Sequence, residues 1–258
     1  MRRPSFLYCA TRAKDVSEAL TSIGTLRAHH PNDRVVVYTD APDDRFTALG
    51  AELKSLSTFR HSFADKIQAL VDELEHGDGD LLIFLDGDTW LVDDIEPAIE
   101  LMDRFDIAAA HAPRRITREF DDVPPSFPEL NTGVVLFRRS RAMSRLLNSW
   151  LAAFLADVGT NTVPASQDQP SLRRLLYQSK KIRLAVLPPE YNCRFAMGVA
   201  VDGQVRVLHG RSPRLREIAE RVNLAPADGH HGGPTLRLVR NEDVLLQSAS
   251  IASQPPQR

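Results

Sequence analysis

Two aspartates one residue apart, Asp86 and Asp88 with Gly87 between them, follow an unbroken apolar run from Leu81 to Leu85. In extended chain, side chains at i and i+2 project the same way. The spacing therefore predicts two carboxylates aimed together from the end of a buried strand. Such a pair repels itself unless a cation lies between its members, and hard oxygen ligands suit Mg2+ or Mn2+. Gly87 would let a bulky diphosphate approach the backbone. The plain alternative is a polar strand-end turn with solvated aspartates. Placement directly after five apolar residues favours the metal reading.

Four further groups could join this chemistry. His209, in Leu208-His209-Gly210-Arg211-Ser212-Pro213, follows an apolar strand and offers an imidazole as a third ligand. Gly210 could free a backbone N–H for phosphate. Taken alone, a single histidine reads as a hydrogen-bonded structural residue. Lys66 lies beside the apolar stripe of its helix and could reach a phosphate as a point charge; on spacing alone it reads as a solvated lysine paired with a nearby acid. Asn131-Thr132-Gly133 before a hydrophobic strand suggests close backbone approach and amide hydrogen bonding to a polar ligand, or a plain turn. Asp168 and Gln169, after Ser166-Gln167, could orient a sugar or act on a hydroxyl. Their alternative is helix capping by Ser166 or Asp168.

The elements that must position these residues alternate. Phe6 to Ala10 reads as a buried strand, followed by Val16, Ala19, Leu20, Ile23 and Leu26 at helical spacing. Val35 to Tyr38 is a β-branched strand ending at Thr39-Asp40. Phe63, Ile67, Leu70, Val71 and Leu74 mark an amphipathic helix. Leu81 to Leu85, bounded by turn residues, is a strand covered on both faces. Ile107 to Ala110, Leu130 to Phe137 and Val205 to Leu208 are further strands. Ser140 to Ala156, Gln167 to Tyr177 and Pro213 to Val222 are helices, with Pro170 placed where a first turn tolerates it. The expected architecture is α/β, with a mostly parallel central sheet flanked by helices. Residues 112–129, rich in Pro and Arg, read as a long loop of the kind that forms lids or is disordered. Residues 225–258 read as an extension to a 1–224 domain: a flexible linker at 229–234, a possible hairpin of 235–239 with 244–246, and a frayed tail.

Composition narrows the functional classes. The chain of 258 residues is 43% hydrophobic, enough for one α/β domain with a true core. A net charge of -2 argues against nucleic acid or an anionic membrane as partner. Without an apolar run of about 18 residues no transmembrane helix is expected, and the N-terminus lacks the apolar core of a signal peptide. Cys9 and Cys193 are too few for a disulfide framework and read as free thiols in a reducing cytoplasm. Two arginine clusters, Arg114, Arg115 and Arg118, then Arg138, Arg139 and Arg141, could attract an anionic acceptor or simply be solvated.

In order along the chain, Lys66, Asp86-x-Asp88, Asn131-x-Gly133, Asp168-Gln169, Leu187-Pro-Pro-Glu-Tyr-Asn192 and His209-Gly210 resemble family 8 of the glycosyltransferases. The resemblance runs from about Phe6 to Pro213. It implies a single Rossmann-like A-type glycosyltransferase domain carrying a DxD motif. It implies that Asp86, Asp88 and His209 hold a divalent metal, typically Mn2+, on the diphosphate of a nucleotide-sugar, with a lean to UDP-sugar. Thr11, Arg12, Thr39 and Asp40 would sit near the nucleoside, and Lys66 would neutralise phosphate. Asn131 and Asp168 would contact the transferred sugar, with Gln169 on the reacting face. The acceptor would be a glycan or another hydroxyl, and transfer would proceed with retention. Where the family continues with Lys-Pro-Trp after His-Gly, this chain has Arg211-Ser212-Pro213, so Arg211 replaces the lysine or that contact is lost. Pro170 after the Asp-Gln pair is a second departure.

Three other readings use the same residues. A sugar-phosphate nucleotidyltransferase would carry a glycine-rich loop after the first strand, and Ala10-Thr11-Arg12-Ala13-Lys14 has no glycine. A phosphohydrolase of the haloacid dehalogenase type needs threonine where Trp90 stands. A non-catalytic nucleotide-sugar binder would hold donor and metal without turnover.

Overall fold

The computed structural model describes residues 4–224, 237–240 and the backbone of 244–246. The elements in chain order are β1 (Pro4–Cys9), α1 (Ala13–His29), β2 (Arg34–Tyr38), α2 (Asp44–Ala48), β3 (Ala51–Lys54), α3 (Phe63–His76), β4 (Leu81–Leu85) and β5 (Thr89–Leu91). Then follow α4 (Glu96–Leu101), β6 (Ile107–His111), β7 (Leu130–Arg138), α5 (Arg141–Gly159), α6 (Gln169–Gln178), β8 (Leu184–Leu187), β9 (Val199–Val201), β10 (Val207–His209), α7 (Leu215–Arg221), β11 (Arg237–Val239) and β12 (Val244–Leu246).

Seven strands form the central sheet in the order β3-β2-β1-β4-β7-β6-β8. All neighbours are parallel except those of β7, which runs antiparallel to β4 and β6. The expected mostly parallel sheet is thus present. Alternation within each strand feeds two cores. Phe6 and Tyr8 of β1, with Ile83 and Leu85 of β4, pack against Val16, Ala19, Ile23 and Leu26 of α1. Leu7, Leu82 and Phe84 turn the other way, toward α3, α5 and α6. The five residues of β4 are all buried, which is why its sequence shows no polar alternation.

A smaller cluster gathers Cys193, Phe195, Val201, Leu208, Ile218 and Val239 beside the sheet. It rests on two short ribbons, β10 paired with β5 and β9 paired with β11. The expected hairpin of β11 and β12 forms and adds its first strand to β9. Arg237, buried at the start of β11, donates to the Val222 and Gly203 carbonyls. The linker at 229–234, the turn at 241–243 and the expected frayed tail lie outside the described residues. No helix among the described residues is long and apolar enough to cross a membrane.

The 112–129 segment differs from the expected lid. Arg173 of α6 is 2% exposed and donates to the carbonyls of Arg118, Val123, Pro124 and Phe127. The buried Glu129 carboxylate accepts from the backbone of Thr117 and Arg118 and from the Thr117 hydroxyl. A loop so tied along its length satisfies its own backbone groups through a distant helix. In the second arginine cluster, Arg138 and Arg139 are tied to the fold while Arg141 is exposed. Arg138 pairs with Asp106, and Arg139 donates to the carbonyls of Glu73, Leu74 and Gly79 at the end of α3.

Candidate active site

Asp86 and Asp88 leave β4 in a tight turn, not in extended chain. The amide and hydroxyl of Thr89 both donate to the Asp86 carbonyl, at 3.1 and 2.8 Å. The side chains converge all the same, because β5 begins at Thr89 and pairs there with His209 of β10. The imidazole Nε2 lies 3.5 Å from an Asp86 oxygen and 3.3 Å from one of Asp88. A three-residue ribbon thus closes a gap of more than a hundred positions in the chain. The Gly210 amide donates to the Asp88 carbonyl at 2.9 Å, so it is occupied in shaping the turn and not free for phosphate. Gly87 packs against α1, where an added methyl would meet the Asp15 carbonyl and the Ala19 amide at 3.3 Å. Its missing side chain permits this close helix packing, and the residue also lines the cavity that opens over the cluster.

Lys66 is not a solvated lysine. It is 5% exposed, with Nζ 3.0 Å from Asp168, 3.6 Å from Asp86 and 3.0 Å from the Thr132 hydroxyl. Ser62 and Asp65 form a capping box that fixes the first turn of α3 and so the place of Lys66. Burial pulls the ammonium down, but Asp168 and Asp86 outweigh it and hold Lys66 above its ordinary value. Burial likewise pushes Asp86 up, and Lys66 with His209 brings it below the usual carboxylate range. For Asp88 the same upward push is outweighed by His209, Arg211 and Arg194. Both aspartates are therefore anionic near neutral pH.

Asp168 does not cap α6. Its side chain accepts from Lys66 and from the Thr132 hydroxyl at 2.9 Å, while its carbonyl accepts from the Trp150 indole at 3.0 Å. Gly133 lies within β7 rather than in a turn, and its carbonyl accepts from the Asp86 amide at 2.8 Å. A Cβ there would stand 1.9 Å from His209 Cε1 and 2.6 Å from an Asp86 oxygen. Glycine is the residue that lets the imidazole lie against this strand. Asn131 donates to Gln169 at 3.1 Å, and Asn192 donates to Asn131 at 2.8 Å. Asn192 also meets His209 Nδ1 at 2.7 Å.

A cavity of about 510 Å3 opens over this cluster, within the range of small-molecule sites. Among the expected residues it is lined by Thr11, Arg12, Lys66, Asp86, Asp88, His209 and Arg211. Asp40 is exposed and faces His61 at 3.5 Å, and it is His61 that lines the cavity. Asn131, Gly133, Asp168 and Gln169 stand behind the lining. Gly210 borders a second cavity of about 420 Å3, which shares Glu18, Gly87, Asp88 and Arg211 with the first. Arg211 bridges Glu18 at 2.6 Å and Asp88 at 3.3 Å. Four ionisable lining residues carry no role in the sequence pattern: Asp15, Glu18, His61 and Arg194, the last 3.9 Å from Asp88. None belongs to a motif. His61 carried no visible signal although its φ of 51° is rare for a non-glycine residue.

The donor atoms of Asp86, Asp88 and His209 all lie within 4.8 Å of one another. Bonds of about 2.1 Å to one small cation place opposite ligands about 4.2 Å apart, and His209 Nε2, at 3.5 and 3.3 Å from the Asp86 and Asp88 oxygens, lies inside that limit. Two carboxylates and an imidazole match the preferences of Mn2+ and related divalent ions.

An open, mostly parallel sheet with a carboxylate and imidazole cluster beyond the carboxyl end of a central strand is an α/β protein built to hold a ligand at that edge. A model of the family Glycosyl transferase family 2 matches residues 8–158, more than half of the chain, and the chain belongs to that family. Comparison with curated proteins finds no match. Among solved structures, the glycosyltransferase GlyE of Streptococcus pneumoniae TIGR4 aligns over 86% of this chain with a TM-score of 0.59 at 17% identity. Its apo form aligns over 88% with a TM-score of 0.58 at 15% identity. These likenesses show the A-type glycosyltransferase fold. The chain spans 61% of the length of either structure.

Proposed function

We propose that the protein transfers a sugar from a nucleotide-diphosphate donor to a hydroxyl of a glycan or another acceptor, with retention at the anomeric carbon. The observation that carries this reading is the convergence of Asp86, Asp88 and His209 in one cavity with Lys66, Arg194 and Arg211. Mn2+ or Mg2+ held by those three ligands would supply Lewis-acid stabilisation of the donor diphosphate. The preference for a uridine donor rests on the family-8 likeness. The pairs Asp168-Gln169 and His209-Gly210 that contribute to it lie beyond the 8–158 span matched to family 2.

The rest follows from charge. When the bond from the anomeric carbon to the phosphate oxygen breaks, negative charge gathers on the diphosphate and positive character on the sugar ring. Lys66, held by Asp168 and Thr132, is a fixed cation beside that leaving group. Arg211 stands where the family-8 lysine would, and Arg12 and Thr11 take the nucleoside side with Asp40 behind His61. Each carboxylate lining the cavity faces a cation: Asp15 faces Arg12, Glu18 and Asp88 face Arg211, and Asp86 faces Lys66. Among the described residues, none of these carboxylates is an unpaired base for the acceptor proton. That proton goes to the departing phosphate oxygen as the new carbon–oxygen bond forms, which is the retaining course. Asp168 then holds Lys66 in place, and Gln169 and Asn131 offer amides to the transferred sugar. Residues 1–224 carry these functions, with 225–258 as an extension.

Release of nucleotide from nucleotide-sugars in Mn2+, compared between the wild type and Asp88→Asn, tests the proposal. The variant is expected to lose turnover while still folding, at a cost within the roughly 0.5–3 kcal/mol of ordinary single substitutions. Normal transfer by Asp88→Asn would overturn the metal assignment.

A further inference from the structure

Behind His209 runs a chain of amides whose polarity one backbone group decides. The Gly133 N–H can only donate, and it donates to Asn131 Oδ1 at 3.1 Å. Asn131 Nδ2 is thereby turned to Gln169 Oε1 at 3.1 Å. Asn192 meets the same Asn131 oxygen at 2.8 Å and must present its own Nδ2 there. Its Oδ1 is left 2.7 Å from His209 Nδ1. A carbonyl oxygen only accepts, so Nδ1 carries the hydrogen. The lone pair of the neutral ring then lies on Nε2, the nitrogen 3.5 and 3.3 Å from the Asp86 and Asp88 oxygens. Reversing Asn192 would set oxygen against oxygen at one end and an N–H against the ring at the other. With Asn192 at 3% and His209 at 2% exposure, a lost bond leaves a buried polar group unmatched.

We infer that Asn192 is a positioning residue. It holds His209 in the tautomer that presents Nε2 to a divalent cation, and it joins that ligand through Asn131 to Gln169 on the sugar side. The inference rests on Asp86, Asp88 and His209 being the metal site. Partners of this kind on the second ring nitrogen orient metal-binding histidines generally.

The probes are Mn2+ alone, titrated by electron paramagnetic resonance, and long-range 1H–15N spectra of the metal-free protein. In those spectra His209 is assigned by its loss in His209→Gln. The wild type is expected to show the hydrogen on Nδ1. Asn192→Leu offers Nδ1 no acceptor, so it is expected to lose the preference for hydrogen on Nδ1 and roughly 10–100-fold in Mn2+ affinity. Two results would overturn the inference: no hydrogen on Nδ1 in the wild type, or wild-type Mn2+ affinity in folded Asn192→Leu. A wild type that takes no Mn2+ defeats the metal reading instead, while the spectrum still judges the amide chain.

Discussion

Replacing Gly133 with alanine attacks the closest approach in the site. The added Cβ would stand 1.9 Å from His209 Cε1 and 2.6 Å from an Asp86 oxygen, where ordinary contact begins near 3.4 Å. Neither neighbour can simply swing aside: the ring is held by Asn192 and the carboxylate by Lys66. The strand or the imidazole must yield by about 1.5 Å, an overpacking that costs about 1–3 kcal/mol. For a domain of this size that lowers Tm by roughly 2–12 °C. Displacing a ligand nitrogen by this much should weaken Mn2+ binding at least about 10–100-fold. Calorimetric titration with Mn2+ and a thermal melt measure both. Gly24→Ala is the control, since nothing lies within 4 Å of the added carbon on an exposed face of α1. It should be neutral or stabilising by about 0.5–1 kcal/mol. Unchanged Mn2+ affinity and Tm in Gly133→Ala would refute the reasoning that glycine is needed for the imidazole to reach the aspartates.

Three further perturbations test other parts of the account. Arg173→Leu leaves the carbonyls of the 112–129 segment without their donor and should cost about 2–4 kcal/mol, read by urea denaturation, with new proteolytic cleavage inside that segment. The Asp106 carboxyl, held below its ordinary value chiefly by Arg183 and then by Arg138, adds stability above about pH 4 that is lost as pH falls through its folded-state value. Asp106→Asn should therefore lose roughly 1–2 kcal/mol at neutral pH, and its denaturation midpoint should converge with the parent's in acid. His61→Gly removes a left-handed backbone strain of about 1 kcal/mol and should raise Tm. Because the ring lines the cavity, the same change should weaken nucleotide-sugar binding, measured by titration calorimetry.

What could be seen in the sequence was local. The apolar run of β4 with Asp86 and Asp88 after it placed the carboxylates correctly, although the turn that aims them depends on Thr89, which alternation cannot describe. His209 was legible as a candidate ligand only together with the aspartates. The strands that bring it there, β5 and β10, are three residues each, too short for any periodicity. Lys66 misled because its partners Asp86, Thr132 and Asp168 are far along the chain, so helical spacing showed only an isolated charge. The 112–129 loop misled for the same reason, since Arg173 that ties it down belongs to a later helix. Asn192 belonged to the ordered motif without any stated role, because its function lies wholly in what it touches.

The most direct test is thermal stabilisation of the wild type by a panel of nucleotide diphosphates and nucleotide-sugars, each with Mn2+ and with chelator. At about 100 times Kd, a ligand of the native state adds about 2.7 kcal/mol, or roughly 5–10 °C here. A shift of that size is expected with one nucleotide family, present with Mn2+ and lost with chelator. No shift from any member, with or without metal, would contradict it.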